Sequence, residues 1–386
     1  MASSPRITDT IPRASIEQVL DGLSHLSVSG GVSTFDGVRL HLLKSSKRRA
    51  PANATALWTV ARDVLTELEK LQLAKVGILP RRLSDVDRLR GTPCQITADG
   101  TALAVLASEK VGRAFDSLLL RWLSDHSYFR ALVRRLLRGS IYVPDVTNLG
   151  QLGLRAGECW TTESSVHVIE NCLSRLQRAG GDAAILATFK VRLEAELRER
   201  HDQLVLAEGD AKRLIDLVQD SVIIPSLLEA ESLPFDPVTF YQMLKCGSEF
   251  LCLGWAASHP LFTGRVVFST CDFKPDLSTD PNASVHEVVH HGVSFAGEAF
   301  PNALRTAYSM VAGPTSGYAN AHSVRAVVCS ELRVPAVVFA RCLESVVAAG
   351  PASGITVYTE LPFEPPPPGE DYIVLNKRRV GKLKII

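Results

Sequence analysis

The sequence predicts an α+β fold, predominantly helical, in three regions covering residues 1–140, 141–230 and 231–386. Three observations predict it. Long stretches between residues 54 and 218 repeat apolar residues with helical spacing. Short β-branched runs appear mainly near the two ends. A length of 386 residues with 46 % hydrophobic and 22 % charged residues suits two or three globular cores.

The first region begins with a short helix near Ile16–Leu26, a turn at Gly30-Gly31, and a strand over Val38–Leu43. A basic loop, Lys44–Arg49, leads to a strong helix from about Ala54 to Gln72. Its residues Leu57, Val60, Ala61, Val64, Leu65, Leu68 and Leu71 share one face. Ile78-Leu79-Pro80 then opens a loop holding Arg81, Arg82, Arg88 and Arg90. Cys94–Thr97 follows, and a further helix starts at Thr97-Ala98-Asp99-Gly100.

The stretch Leu68-Glu69-Lys70-Leu71-Gln72-Leu73, the arginine-bearing loop and Ile96-Thr97-Ala98-Asp99-Gly100 together resemble the winged helices of MarR-like regulators. Gln72 stands where that family has glycine, and Ile96 where it has leucine. The resemblance covers about seventy residues and implies a winged helix-turn-helix. In it a helix enters the major groove and wing arginines meet flanking phosphates. The DNA-contacting residues would be Arg62 and Lys70 on the helix and Arg81, Arg82, Arg88 and Arg90 on the wing. The same fold also serves as a protein–protein module.

The end of the first region and the whole of the second read as helical. Val111–Trp122 and Phe129–Leu137 before the boundary, and Ser165–Arg178, Ile185–His201 and Lys212–Val218 after it, are periodic, with a break at Gly180-Gly181. Arg134, Arg135 and Arg138 fall on a polar face. The region is either a helical linker or a bundle compatible with a homodimer.

The third region carries the one motif that spells a chemistry, His286-Glu287-Val288-Val289-His290. On a helix, residues four apart lie about 6 Å from each other, so His286 and His290 would share one zinc at about 2.0–2.1 Å. Glu287 would then take a proton from a zinc-bound water, the chemistry of a metallopeptidase with a protein substrate. Asn282 or Ser284 offers an N-cap. The two valines fit a strand equally well, and on a strand the histidines would stand about 13 Å apart. A catalytic zinc needs a third protein ligand, for which Glu298, His322 and Glu331 are the candidates.

Val266–Phe273, the His-Glu motif and Asn320-Ala321-His322-Ser323 together loosely resemble the aspzincin metallopeptidases over about sixty residues. Ala296-Gly297-Glu298-Ala299 departs from that family's Gly-Thr-x-Asp, and His322 from its later Asp. The resemblance implies a zinc-dependent hydrolase with Glu298 nearest the third ligand position.

Beyond the motif, Val324–Leu332 and Pro335–Val347 read as two helices joined by a tight turn at Arg333-Val334. Strands at Ile355–Thr359 and Tyr372–Leu375 flank a proline loop. With Lys377, Arg378, Arg379, Lys382 and Lys384 on or after it, this end reads as a second winged helix or as the solubilising end of an edge strand.

The eight cysteines form no CxxC pair and sit mostly among apolar neighbours, which predicts buried, reduced thiols. No apolar run approaches the ~20 residues of a membrane helix, no signal peptide is visible, and the expected location is cytoplasmic. A net charge of +1 excludes a globally polycationic protein. Neither a Walker loop nor GxGxxG occurs. Two readings of different class follow: a zinc hydrolase coupled to a winged helix, and a non-enzymatic winged-helix DNA-binding regulator or interaction scaffold.

Overall fold

In a computed structural model, helix accounts for 59 % of the described residues and strand for 14 %, in small antiparallel sheets, so the chain is α+β and predominantly helical. The structure describes residues 14–45, 54–79, 89–207, 209–256, 259–260, 262, 264–280, 282–292, 298–312, 317–366 and 371–386.

The first unit starts with α1 (Ile16–Val28), closed at its N-terminus by a capping box between Ser15 and Gln18. Ile16, Val19, Leu20, Leu23 and Leu26 face the core at helical spacing. Gly30, at φ 75°, turns the chain into β1 (Val32–Thr34). The strand expected at Val38–Leu43 is instead helix α2 (Phe35–Ser45). Val38, Leu40 and Leu42 alternate with polar residues, but Phe35, Val38 and Leu42 form the inward face of a helix and are at most 3 % exposed. Leu40 and Leu43 turn outward, 42 % and 39 % exposed, so the longer period prevails.

Helix α3 (Ala54–Lys70) buries Ala61, Val64, Leu65 and Leu68. It ends in a Schellman turn, in which Leu73 N–H donates to Leu68 O and Gln72 takes φ 56°. Strands β2 (Ala74–Val76) and β3 (Pro93–Ile96) complete a sheet in the order β1-β3-β2. Thr97 then caps α4 (Ala98–Glu109) by accepting from Gly100 N–H at 3.0 Å, and its hydroxyl donates back to Gln72 O at 2.8 Å.

Helices α5 (Val111–Asp125) and α6 (Ser127–Leu137) lead to β4 (Ile141–Pro144). Helices α7 (Thr162–Arg178), α8 (Ala183–Glu199), α9 (His201–Leu206) and α10 (Ala211–Val218) follow. A π-helical turn, Gln219–Ile223, joins α10 to α11 (Ile224–Ala230), after which comes α12 (Pro237–Glu249). Strands β5 (Leu253–Ala256) and β6 (Gly264–Ser269) then pair with β4 in the order β4-β6-β5. Ile141 lies opposite Val267, so this sheet draws strands from both sides of the boundary expected at 230/231.

Hairpin β7 (Cys271–Lys274) and β8 (Glu287–His290) precedes the last unit. There α13 (Ala299–Val311), β9 (Ala319–Asn320), α14 (Ala321–Leu332) and α15 (Ala336–Ala349) come before β10 (Val357–Glu360). A second Schellman turn, with Arg333 at φ 52°, makes the tight turn expected between α14 and α15. A two-residue turn at Asn376-Lys377, both at positive φ, closes the hairpin of β11 (Ile373–Leu375) and β12 (Arg378–Val380). Strand β13 (Lys382–Ile385) then enters between β10 and β9.

The first and last units therefore share one order: helix, strand, two helices, strand, excursion, strand. In both, the third strand lies between the other two. The β4-β6-β5 sheet repeats that strand order, with helices α7 to α11 inserted after its first strand. One buried apolar cluster runs through all three, from Ala14 to Leu383. Seven of the eight cysteines are buried and all eight are free thiols. The segment Ala336–Ser353 is long and apolar enough to cross a membrane, with a mean hydropathy of 1.3, but Phe339, Cys342, Leu343 and Val346 of α15 are buried inside the last unit.

Candidate functional site

The His-Glu motif is a strand where a zinc site requires a helix. In the β7–β8 register, His290 lies opposite Cys271, Val289 opposite Asp272, Val288 opposite Phe273 and Glu287 opposite Lys274. His286 N–H extends the ladder by donating to Lys274 O at 3.0 Å. Four residues along a strand span about 13 Å, well beyond what one metal bridges. The valines decide the matter, since their branched side chains suit a pleated hairpin and β7 provides a partner edge. No helix starts at Asn282 or Ser284; Asn282 N–H instead donates to the Asp280 carboxylate in a local turn.

Each residue expected to do chemistry has another partner or place. The exposed Glu287 carboxylate accepts from Lys274 Nζ at 3.1 Å. His290 Nε2 is 2.6 Å from Asp116 Oδ1 on α5, and the neighbouring His291 is 2.8 Å from Asp272. Glu298 is exposed at the N-terminus of α13, beyond residues 293–297, which lie outside the described residues. His322 is buried 3.0 Å from the Arg325 guanidinium, and Glu331 is exposed. Among the described residues no group of three or more His, Cys, Asp and Glu side chains is arranged to hold a metal ion. The structure thus does not bring Glu287, His286, His290 and Glu298 together as a zinc centre.

The expected DNA contacts fall into three groups. Arg62 is half-buried on α3, and Lys70 is exposed at its last turn. Arg90 is exposed at the end of the excursion between β2 and β3, its guanidinium 5.7 Å from the Trp58 ring centroid. Arg39 of α2 covers the same ring at 4.5 Å and also binds Asp36. Arg81, Arg82 and Arg88 lie outside the described residues.

A denser basic surface stands at the other end of the chain. From Tyr372 to Ile386 there are five Lys and Arg and no Asp or Glu. Lys377, Arg378 and Arg379 are exposed at the tip and on the second strand of the β11–β12 hairpin. On β13, Leu383 points inward, which turns Lys382 and Lys384 to the opposite face. Aromatic rings accompany these cations. Arg379 lies 4.3 Å from the Tyr372 ring centroid, Lys382 5.3 Å from that of Phe363 and Lys384 5.8 Å from that of Tyr318. Sequence reading finds the cations as a run but misses the rings, because only strand register and the loop after β10 bring them together.

A second polar cluster is internal. Asp145, just past β4, accepts from Arg265 of β6 at 3.0 Å, and its backbone carbonyl accepts from Arg175 of α7 at 2.7 Å. Gln219 of the π-helical turn donates to Pro144 O and accepts from Val146 N–H. Burial pushes the Asp145 carboxyl above its ordinary value, and Arg265 pulls it back. These bonds fasten the helical insertion to the central sheet, and the cluster reads as a joint.

No family model, curated protein or solved structure matches the chain.

Proposed function

We propose that the protein is a non-enzymatic, nucleic-acid-binding scaffold of winged-helix units, which meets DNA phosphates through its wings. The single observation that carries this reading is the repeated order of helix, strand, two helices, strand, excursion and strand at residues 16–96 and 299–385. The shared strand order, third between first and second, adds to it. So does the N-terminal resemblance to MarR-like regulators. In this reading the excursions between second and third strands are the wings. One ends in Arg90 and the other carries Lys377, Arg378 and Arg379.

The helices in the recognition position favour the wings as the contact. Helix α3 has two basic residues, Arg62 and Lys70, against three acidic ones, Asp63, Glu67 and Glu69. Helix α15 has one of each, Arg341 and Glu344, on an otherwise largely apolar sequence. Such helices offer little to base edges or phosphates, whereas paired cations on a hairpin neutralise phosphates without reading sequence. The zinc-hydrolase reading has no comparable support, because it rested on a helix at residues 286–290 and those residues pair as a strand.

The test is equilibrium binding of the full chain to a labelled duplex between about 0.05 and 0.2 M salt. The reading expects affinity that falls steeply and linearly on log–log axes, with little difference between sequences. Absence of binding at the lowest salt would overturn it.

A further inference from the structure

We infer that the solvent face of the β10-β13-β9 sheet is a stacking platform for unpaired nucleic acid, a single strand laid across lysines and aromatic rings. This deepens the nucleic-acid reading above and rests on it. The register sets Tyr358 of β10 directly opposite Lys384 of β13, and Glu360 opposite Lys382. Cross-strand partners share a face, so Tyr358, Lys384, Lys382 and Glu360 form one surface, away from Leu383 and Val357 in the core. Phe363 extends it from the loop after β10, beside Lys382, and Tyr318 from the segment before β9, beside Lys384.

Exposure distinguishes these rings from core residues. Phe363 is 85 % exposed and Tyr358 50 %, in a chain whose largest fully buried side chains include seven other phenylalanines. A phenylalanine left in water contributes nothing to the core, and the side chain that stands over this ring is Lys382. Lys382 and Lys384, two residues apart on one strand, project about 7 Å from each other, close to the reach of one nucleotide in an unstacked strand.

The chemistry favours a single strand over other polyanions. Cations alone would serve a duplex, an acidic peptide or an anionic lipid surface equally. Flat rings held beside those cations add a partner that only unpaired bases supply, because each base offers a π-face to stack on, whatever its identity. A duplex keeps those faces inside its own stack. The platform is thus distinct from the β11–β12 wing, whose arginines suit phosphates of either form. Glu360 is the acidic member of the face and accepts a hydrogen bond from Tyr318, so it tempers the charge.

The experiment compares a fluorescent thymidine oligonucleotide with a duplex of equal length and with phosphatidylserine vesicles, using the full chain and four variants, one of them Lys382→Ala with Lys384→Ala. Tyr358→Ala with Phe363→Ala is expected to weaken oligonucleotide binding by at least about tenfold and to leave duplex binding within about twofold. Tyr358→Trp with Phe363→Tyr is expected to restore it, which a merely structural role for the rings would not require. Both positions are exposed, and an unchanged melting temperature verifies the fold. Glu360→Gln is expected to tighten the oligonucleotide complex. Oligonucleotide affinity unchanged by the alanine pair, with duplex binding intact, would overturn the platform and leave the wing reading standing. Binding lost only with Lys382 and Lys384, and matched by phosphatidylserine vesicles, would mark a general polyanion surface and also overturn the platform. Wild-type protein that binds neither nucleic acid would overturn both.

Discussion

His290 and Asp116 meet at 2.6 Å, and this bond ties the β7–β8 hairpin to helix α5. The histidine that the motif assigns to zinc is thus engaged with a carboxylate 174 residues away in sequence. The hydrogen bond from Asp116 raises the His290 pKa above its ordinary 6.5, against the opposing effect of burial. A histidine with a raised folded pKa stabilises the chain fully below its unfolded value, and that contribution fades as the pH climbs through the folded value. Asp116→Ala therefore lowers the melting temperature at about pH 5.5 and has little effect at about pH 8.5. The side chains are 37 % and 33 % exposed, so screening holds the loss to about 1 kcal/mol or less. Thermal melts at the two pH values measure it, and an equal loss at both would refute the assignment.

Glu67 and His126 form a second carboxylate–imidazole pair, this one buried, 3.0 Å apart and only 2 % and 6 % exposed. It joins α3 to the α5–α6 corner, where the Trp122 ring lies edge-on to His126. Glu67→Ala removes one partner and leaves the other buried without it, which costs about 3 kcal/mol or more. Glu67→Gln, able to keep one hydrogen bond, is expected to cost less than half as much. Urea unfolding of the two variants decides between a pair held by geometry and one that contributes nothing.

Gly100 is required by a close approach. A Cβ there would stand 2.1 Å from Leu73 O, a backbone atom that cannot swing aside. Alanine ordinarily favours a helix by about 1 kcal/mol over glycine, yet here Gly100→Ala is expected to destabilise by about 2 kcal/mol or more. A stabilised Gly100→Ala variant in the same unfolding assay would contradict the packing of α4 on the β2 turn.

The hairpin geometry also makes a prediction about metal. His286→Ala and His290→Ala should leave the zinc content of the purified protein unchanged, as measured by elemental analysis. Glu287→Gln should alter stability by no more than about 0.5 kcal/mol, because it removes one exposed ion pair. One zinc per chain lost in both histidine variants, with the fold retained, would restore the hydrolase reading.

Helices were largely legible because their period is local. Thr97-Ala98-Asp99-Gly100 marks a helix start, since threonine caps and glycine admits the neighbouring strand. Gln72, where the MarR-like phrase has glycine, takes the left-handed φ of 56° that glycine adopts more readily. The failures share a cause. At Val38–Leu43 and at 286–290 the residues fit both periods, and the choice fell to distant partners, the α2 packing face in one case and strand β7 in the other. The stacking surface was illegible for the same reason, because Tyr318, Tyr358, Phe363 and Lys384 become neighbours only when β13 inserts between β9 and β10.

The salt dependence of duplex binding in two variants distinguishes contact through the wings from contact through the helices. One is Lys377→Ala with Arg378→Ala and Arg379→Ala on the hairpin, and the other is Arg341→Ala on α15. The hairpin variant is expected to flatten the log–log salt slope by about 2 to 3, near 0.9 per lost phosphate contact, while Arg341→Ala binds as the wild type does. A slope unchanged in the hairpin variant, or lost with Arg341→Ala, would contradict contact through the wings.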